Sequence, residues 1–118
     1  MGYTKHNAVI VTDWNKGDIE KVHAKAIEIF KNEIDVEFSE KCISLIIKGL
    51  VNSYYSFFIA PDGSKEGWSI DKEAEEARMK FQNWLLESGL SEYIEICFGG
   101  DSDIEYIKRS KESDLNKQ

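Results

Sequence analysis

Two segments of the chain, Thr12 to Gly17 and Pro61 to Trp68, each combine a glycine, a lysine and a tryptophan. An indole ring can stack on a nucleobase, while a lysine ammonium and the free N–H groups at a helix start can bind phosphate. If both segments lay together, they would form a pocket for a small anionic ligand such as a nucleotide. The residues expected to line this pocket are Thr12, Trp14, Lys16, Ser64, Lys65 and Trp68.

The same residues also have a purely structural interpretation. The two tryptophans can simply cover the starts of two helices. The acids near these starts can neutralise the positive end of each helix dipole; they are Asp13, Asp18, Glu66 and Asp71. The residue types alone therefore leave both interpretations open, and the ligand pocket requires the two segments to meet.

Catalytic and metal-binding patterns are absent from the sequence. His6 and His23 are the only histidines, and His23 falls on the flank of a helix face. Cys42 and Cys97 fall in predicted strands without metal-ligand spacing, which indicates two free thiols. There is no G-x-S-x-G, phosphate-binding P-loop, HExxH or CxxC motif. We therefore expect no catalytic residue, no metal and no cofactor.

Composition limits the partners and the compartment. The net charge of −7, from 22 acidic and 15 basic residues, would repel a phosphate backbone, so nucleic-acid binding is disfavoured. No apolar run has the length of a signal peptide or approaches the roughly 18 residues of a membrane span. We expect a cytosolic protein that does not bind membranes.

Hydrophobic periodicity predicts five strands and two helices within one domain of residues 1–110. The first strand is Ala8 to Val11, and a helix follows from Lys16 to about Asn32. A second helix begins near Asp71 and stops at Gly89. The other strands are expected at Cys42 to Lys48, Tyr54 to Ala60, Tyr93 to Phe98 and Ile104 to Arg109.

The order β-α-β-β-α-β is that of the ferredoxin-like, split β-α-β fold, here with one extra strand at the C-terminal end. This α+β class predicts an antiparallel sheet ordered fifth, fourth, first, third, second, with both helices on one face. We further expect the first and third strands to run parallel, so that the loops after them emerge side by side. That arrangement would bring the two tryptophan-bearing segments together.

Two further expectations concern the surface. Residues 111–118 contain one apolar residue, Leu115, and are predicted to form a flexible tail. The second strand should lie at a sheet edge although Cys42 to Ile47 is apolar on both faces, which predicts a homodimer. Tyr93, Cys97 and one of the pair Phe57 and Phe58 should add to the helix-free face.

The stretch Ser56 to Trp68 (SFFIAPDGSKEGW), together with His6 to Trp14 (HNAVIVTDW), resembles a family of small uncharacterised proteins of tailed bacteriophages and prophages. The resemblance extends loosely from Tyr3 to about Arg109. It implies an accessory phage protein, of a kind that commonly antagonises host defence by sequestering a signalling nucleotide or by binding a host protein. It implies no catalytic residues.

Three functions are therefore expected in order. The first is a non-enzymatic protein that binds and sequesters a small anionic ligand, such as a nucleotide immune signal. The second is an inhibitor that binds a host protein through the helix-free sheet face or a sheet edge. The third is an enzyme of unknown type that acts on a nucleotide.

Overall fold

The computed structural model of the chain describes residues 4–101 and 104–117; residues 1–3, 102–103 and 118, which include the end of the predicted tail, lie outside this description. It is an α+β structure with a five-stranded sheet in the order β2-β3-β1-β4-β5, in which all neighbours pair antiparallel. The elements are β1 (His6–Asp13), α1 (Lys16–Glu33), α2 (Val36–Cys42), β2 (Ile47–Lys48), β3 (Tyr55–Ile59), α3 (Ser69–Ser88), β4 (Glu92–Phe98), β5 (Tyr106–Ser110) and α4 (Lys111–Asn116).

The two long helices form where the periodicity predicted them. At the start of α1, the Asn15 side chain accepts a hydrogen bond from the Asp18 amide at 2.9 Å, which satisfies one of the free N–H groups. Helix α3 ends at Gly89, whose φ of 71° is the left-handed conformation that glycine adopts without strain. The core lies between these helices and one sheet face. Its fully buried apolar residues include Val9, Val11, Ile19, Val22, Ala26, Phe30, Phe57, Ile59, Ala77, Phe81 and Leu85.

The prediction of a strand from Cys42 to Lys48 is only partly right. Cys42 ends the short helix α2, which Asp35 caps by accepting from the Phe38 amide at 2.8 Å. After α2 the chain does run along β3, but the pairing is interrupted. The Phe58 amide donates to the hydroxyl of Ser44 instead of a backbone carbonyl, at 2.9 Å. The side chain thus replaces one bond of the sheet, and a regular ladder forms only at β2.

The expectation that the first and third strands run parallel is wrong. Val9 lies opposite Ile59 and Asp13 lies opposite Tyr55, which is an antiparallel register. Helices α1 and α2 return the chain to the end where it started, so β2 runs in the same direction as β1. The turn after β2 then reverses the direction for β3. The strand order itself is the one that we predicted.

Strand β4 faces the helices with the side that we predicted to lie on the helix-free face of the sheet. Tyr93, Glu95 and Cys97 face the helices, whereas Ile94 and Ile96 lie on the helix-free side. The expected contribution of Tyr93 and Cys97 to the helix-free face is therefore wrong. Of the phenylalanine pair, Phe57 is buried and Phe58 lies on the helix-free side, where one member was expected. We call this side the open face, defined by Ile10, Phe58, Ile94, Ile96 and Ile107.

A cluster of polar side chains explains why Glu95 lies inside. Only 3% of Glu95 is exposed, and the Arg78 guanidinium donates to its carboxylate at 2.9 Å. The Gln82 amide donates to the other carboxylate oxygen at 2.8 Å, and the Asn7 amide donates at 3.3 Å. A buried carboxylate is tolerated when it is paired and hydrogen-bonded. This ion pair therefore sets which side of β4 faces inward.

Residues 111–116 form a docked helix rather than the frayed tail that we expected. Ser110 and Ser113 bond reciprocally as a capping box at the start of α4. The buried Asp114 accepts from the Tyr93 hydroxyl and from the Arg109 side chain, the latter at 2.7 Å. Burial, and then the bond to Asp114, raise the pKa of Tyr93. Hydrogen bonds, which an apolar pattern does not reveal, hold this segment.

Replacing Asp114 by alanine should lower the free energy of unfolding by about 1–3 kcal/mol, because the buried hydroxyl of Tyr93 and the Arg109 guanidinium lose their acceptor. Chemical denaturation of Asp114→Ala and of a chain truncated after Ser110 measures this loss. Asn116→Ala, at an exposed position of the same helix, is the control and should change little. Unchanged stability in both Asp114→Ala and the truncated chain would show that α4 is not docked.

Candidate binding site

The structure separates the six residues predicted to form one pocket. Trp14 and Lys16 follow the C-terminal end of β1, whereas Lys65 forms a β-bridge with Thr4 at the other end of that strand. Thr4 and Trp14 are about 30 Å apart, because ten residues of largely extended chain separate them and a strand rises about 3.3 Å per residue. Thr12, Trp14 and Lys16 thus belong to one end of the sheet, and Ser64, Lys65 and Trp68 to the opposite end. The predicted common pocket is wrong because it depended on the wrong direction of β3.

At the Lys65 end, polar contacts close a turn. Ser64 is buried, and its hydroxyl and amide donate to Asp62 Oδ1 at 2.8 and 3.1 Å. Trp68 is the N-cap residue of α3, but its side chain forms no capping hydrogen bond. Trp68 is 52% exposed. Burial, and then the charge of Asp62, raise the pKa of the Cys42 thiol. A raised pKa lowers the fraction of thiolate, which is the nucleophilic form of cysteine.

A groove on the open face has a volume of about 650 Å³. Its floor is apolar: Ile10 lies opposite Ile94 in the sheet register, and Ile107 lies one strand further. Helix α4 forms the wall, with Leu115 half exposed. The lining residues are Ile10, Thr12, Glu92, Tyr93, Ile94, Ile107, Ser110, Lys111, Glu112, Leu115 and Asn116. The groove therefore exists only because α4 is folded beside the sheet.

The margin of this groove is acidic. Glu92 and Glu112 line it with exposed carboxylates. Lys111 is the only lysine or arginine among the described residues that line the groove. The Lys111 ammonium donates to the carbonyls of Ser91 at 2.8 Å and Gly89 at 3.4 Å. Because the cation is held by backbone oxygens beside two carboxylates, the groove offers little attraction to an anion.

A second cavity of about 200 Å³ adjoins the groove and shares Thr12, Glu92 and Lys111 with it. Its remaining walls contain two exposed aromatic side chains, Trp14 and Tyr54. The complete lining is Thr12, Asp13, Trp14, Asp18, Tyr54, Gly89, Leu90, Ser91, Glu92 and Lys111. Of the six predicted site residues, Thr12 and Trp14 thus line a cavity, although with neighbours that we did not predict.

Asp13 has a structural role in this second cavity. Its carboxylate is buried and accepts from the Ser91 hydroxyl at 2.7 Å and from the Asn15 amide at 2.9 Å. These bonds join the end of β1 to the turn before β4 and to the start of α1. They fix the base of the cavity, so that Trp14 and Asp18 project from a rigid support.

The remaining candidate catalytic groups have structural surroundings. The Nε2 atom of His23 lies 2.8 Å from the carbonyl oxygen of Ser44. The His23 and Phe57 rings pack edge to face, with 4.8 Å between their centroids. Within residues 4–101 and 104–117, no group of three or more His, Cys, Asp or Glu side chains is arranged to hold a metal. In the same ranges, no helix has the length and apolar character needed to cross a bilayer.

Sequence reasoning missed the groove because it misassigned β4 and residues 111–116. Two signals were present in the chain. Ser110 is followed by acids at Glu112 and Asp114, a pattern typical of a helix start. Glu95 is the one charged residue within the otherwise apolar and aromatic run from Tyr93 to Phe98, and Arg78 lies on the preceding helix as a partner.

Comparison with protein-family models and with curated proteins finds no match for this chain. The resemblance to small proteins of tailed bacteriophages therefore remains a prediction.

Because Trp14 and Trp68 lie at opposite ends of the sheet, their substitutions should act independently. Trp14→Ala and Trp68→Ala should each change the free energy of unfolding by only about 0.5 kcal/mol, since both side chains are mostly exposed. The double variant should equal the sum of the two within about 0.5 kcal/mol. Denaturant titration of the four proteins measures the coupling. A coupling well above about 1 kcal/mol would place the indoles in contact and restore the common pocket.

Proposed function

We propose that this chain is a non-enzymatic binding protein whose groove on the open face holds an apolar segment, carrying positive charge, of a protein partner. The observation that carries this proposal is the apolar floor of Ile10, Ile94 and Ile107 beneath a folded helix wall. It supports the second of the three functions expected from the sequence ahead of the first.

The apolar exposure argues for a partner. Ile107 is 61% exposed, and Phe58 and Ile10 are about two-fifths exposed on the same face. Contiguous apolar surface that is rimmed by polar residues commonly marks an interaction site. Each large apolar side chain that a partner covers contributes about 1.5–3 kcal/mol. A segment that covers several of these side chains can therefore bind with useful affinity.

The charges argue for a basic partner and against an anionic ligand. Glu92 and Glu112 flank the groove, and the ammonium of Lys111 is already bound to backbone carbonyls. The whole chain carries a net charge of −7. Complementary charge speeds encounter and sets orientation more than it adds affinity. A nucleotide would have to approach the same carboxylates without a free cation among the described groove residues to receive it.

The biological setting that we propose is the one that the phage resemblance implies. The protein would be a phage accessory protein in the bacterial cytoplasm that inhibits a host protein, with host defence as the proposed context. We also propose that the fold is ferredoxin-like. The strand order β2-β3-β1-β4-β5 and the positions of α1 and α3 support this assignment.

Self-association through the β2 edge is a compatible proposal. Leu45 is 82% exposed, and Ile47, Leu50 and Val51 are also exposed in or beside this edge. An exposed apolar edge strand is a site for pairing with another chain. Since β2 lies at the opposite sheet edge from β5, a dimer formed there leaves the groove accessible.

The proposed function can be tested by selecting binders from a library of random linear peptides. Selected peptides should bind the wild-type protein. Ile107→Asp and Leu115→Asp should each lower the affinity for these peptides at least about tenfold, because each variant loses more than about 1.4 kcal/mol of apolar contact. Val36→Asp is the matched control, since it places the same charge at an exposed apolar position of α2. Light scattering of each variant measures its mass in solution.

The peptides should be enriched in apolar and basic residues. Binding that is unaffected by Ile107→Asp and Leu115→Asp, in variants that melt like the wild type, would exclude the groove as the binding site. A nucleotide panel that raises the melting temperature while no peptide binds would favour ligand sequestration instead.

A further inference from the structure

The small cavity beside the groove combines two features that suit one chemical group. Trp14 is 69% exposed and Tyr54 is 46% exposed, so both present ring surface to solvent. Asp18 and Glu92 add two carboxylates to the same walls. Among the described residues, neither carboxylate forms an ion pair. Aromatic faces and unpaired carboxylates both attract a cation.

We propose that this cavity binds the side chain of an arginine in the partner segment that occupies the groove. This inference rests on the proposed function, because the cavity and the groove adjoin through Thr12, Glu92 and Lys111. Arginine is then the residue by which this protein recognises its partner.

The size of the cavity favours a single side chain. Its volume of about 200 Å³ is below the roughly 300–1,000 Å³ of pockets that bury small-molecule ligands. A guanidinium is planar, so it can stack on an indole while its edge donates to a carboxylate. An ammonium lacks the planar fork and is more strongly hydrated, which makes lysine the poorer occupant.

The neighbouring groups leave these two carboxylates available. Both oxygens of Asp13 already accept hydrogen bonds from Ser91 and Asn15, so Asp13 supplies negative charge at the base without changing partners. Lys111 is held on the carbonyls of Ser91 and Gly89. An incoming guanidinium therefore meets Asp18 and Glu92 without having to displace an ion pair between described residues.

The test uses N-acetyl-arginine methylamide as the probe and the indole N–H signals of the three tryptophans as the readout. Titration followed by NMR should shift the Trp14 signal saturably and leave the Trp68 signal unchanged. The citrulline analogue, which is neutral and nearly the same shape, should give no saturable shift. Glu92→Gln should weaken the arginine probe at least about threefold, consistent with loss of an exposed ion pair beside an aromatic ring.

Glu40→Gln is the matched control, because it removes the same charge from an exposed position on α2. Equal shifts of Trp14 and Trp68, equal shifts with citrulline, or equal weakening by Glu40→Gln would each overturn the inference. Equal shifts of the two tryptophans or equal weakening by Glu40→Gln would indicate binding to the acidic surface in general, whereas equal shifts with citrulline would indicate binding that does not depend on the charge of the probe.

The two proposals fail in different ways. If arginine binds the cavity but no peptide binds the groove, the proposed function fails and the cavity assignment stands. If groove-binding peptides are selected that lack arginine and bind Glu92→Gln as tightly as the wild type, the groove stands and the arginine site is wrong.

Discussion

The ion pair between Glu95 and Arg78 is the interaction on which the rest of the arrangement depends. It joins the middle of β4 to α3 at 2.9 Å, with both side chains more than nine-tenths buried. A charge in this position requires its partner, because removing either member leaves the other unpaired in a medium of low dielectric constant. Gln82 and Asn7 complete the set of donors around the carboxylate. The pair thereby specifies one of the two possible faces of β4 as the inner one.

The outer face of the sheet follows from that choice. With Glu95 inside, Ile94 and Ile96 must lie on the opposite side, because successive side chains of a strand alternate. Two more buried carboxylates support the surroundings of the groove: Asp13 anchors the base of the small cavity beside it, and Asp114 holds α4 against Tyr93 and Arg109. Part of the acidic charge of this chain is thus structural. Buried acids on the helix side leave apolar side chains on the side that is free to bind a partner.

The elements that were predicted well are those that apolar periodicity determines alone. Helix α1 and the Gly89 stop of α3 were found almost to the residue, because a buried helical face repeats every three or four residues. The elements that were missed depend on polar contacts between distant parts of the chain. Residues 111–116 fold because Asp114 meets Tyr93, and the face of β4 is set by Arg78; each contact joins residues far apart in the sequence, so the local signals near Ser110 and at Glu95 do not identify the partner.

The candidate site was predicted less well than the fold, for a geometric reason. The six expected residues came from two segments that are each suited to a ligand, and the strand order that was to join them is correct. The predicted direction of β3 is wrong. Because β3 runs antiparallel to β1, the loop after β3 emerges at the opposite end of the sheet from the loop after β1. Thr12 and Trp14 still line a cavity, but Trp14 now lies with Tyr54 and Glu92 rather than with Lys65.

The most direct test of this account compares two neighbouring positions of β4. Glu95→Ala should lower the free energy of unfolding by about 3–5 kcal/mol, because it leaves Arg78 buried without its counter-charge. Ile94→Ala should cost clearly less, about 1 kcal/mol, because its side chain lies on the open face and is only partly covered. Equilibrium denaturation of both variants measures the difference. The opposite order, with Ile94→Ala losing about 2–5 kcal/mol as a core isoleucine does and Glu95→Ala changing little, would show that β4 faces the other way and that the groove does not exist.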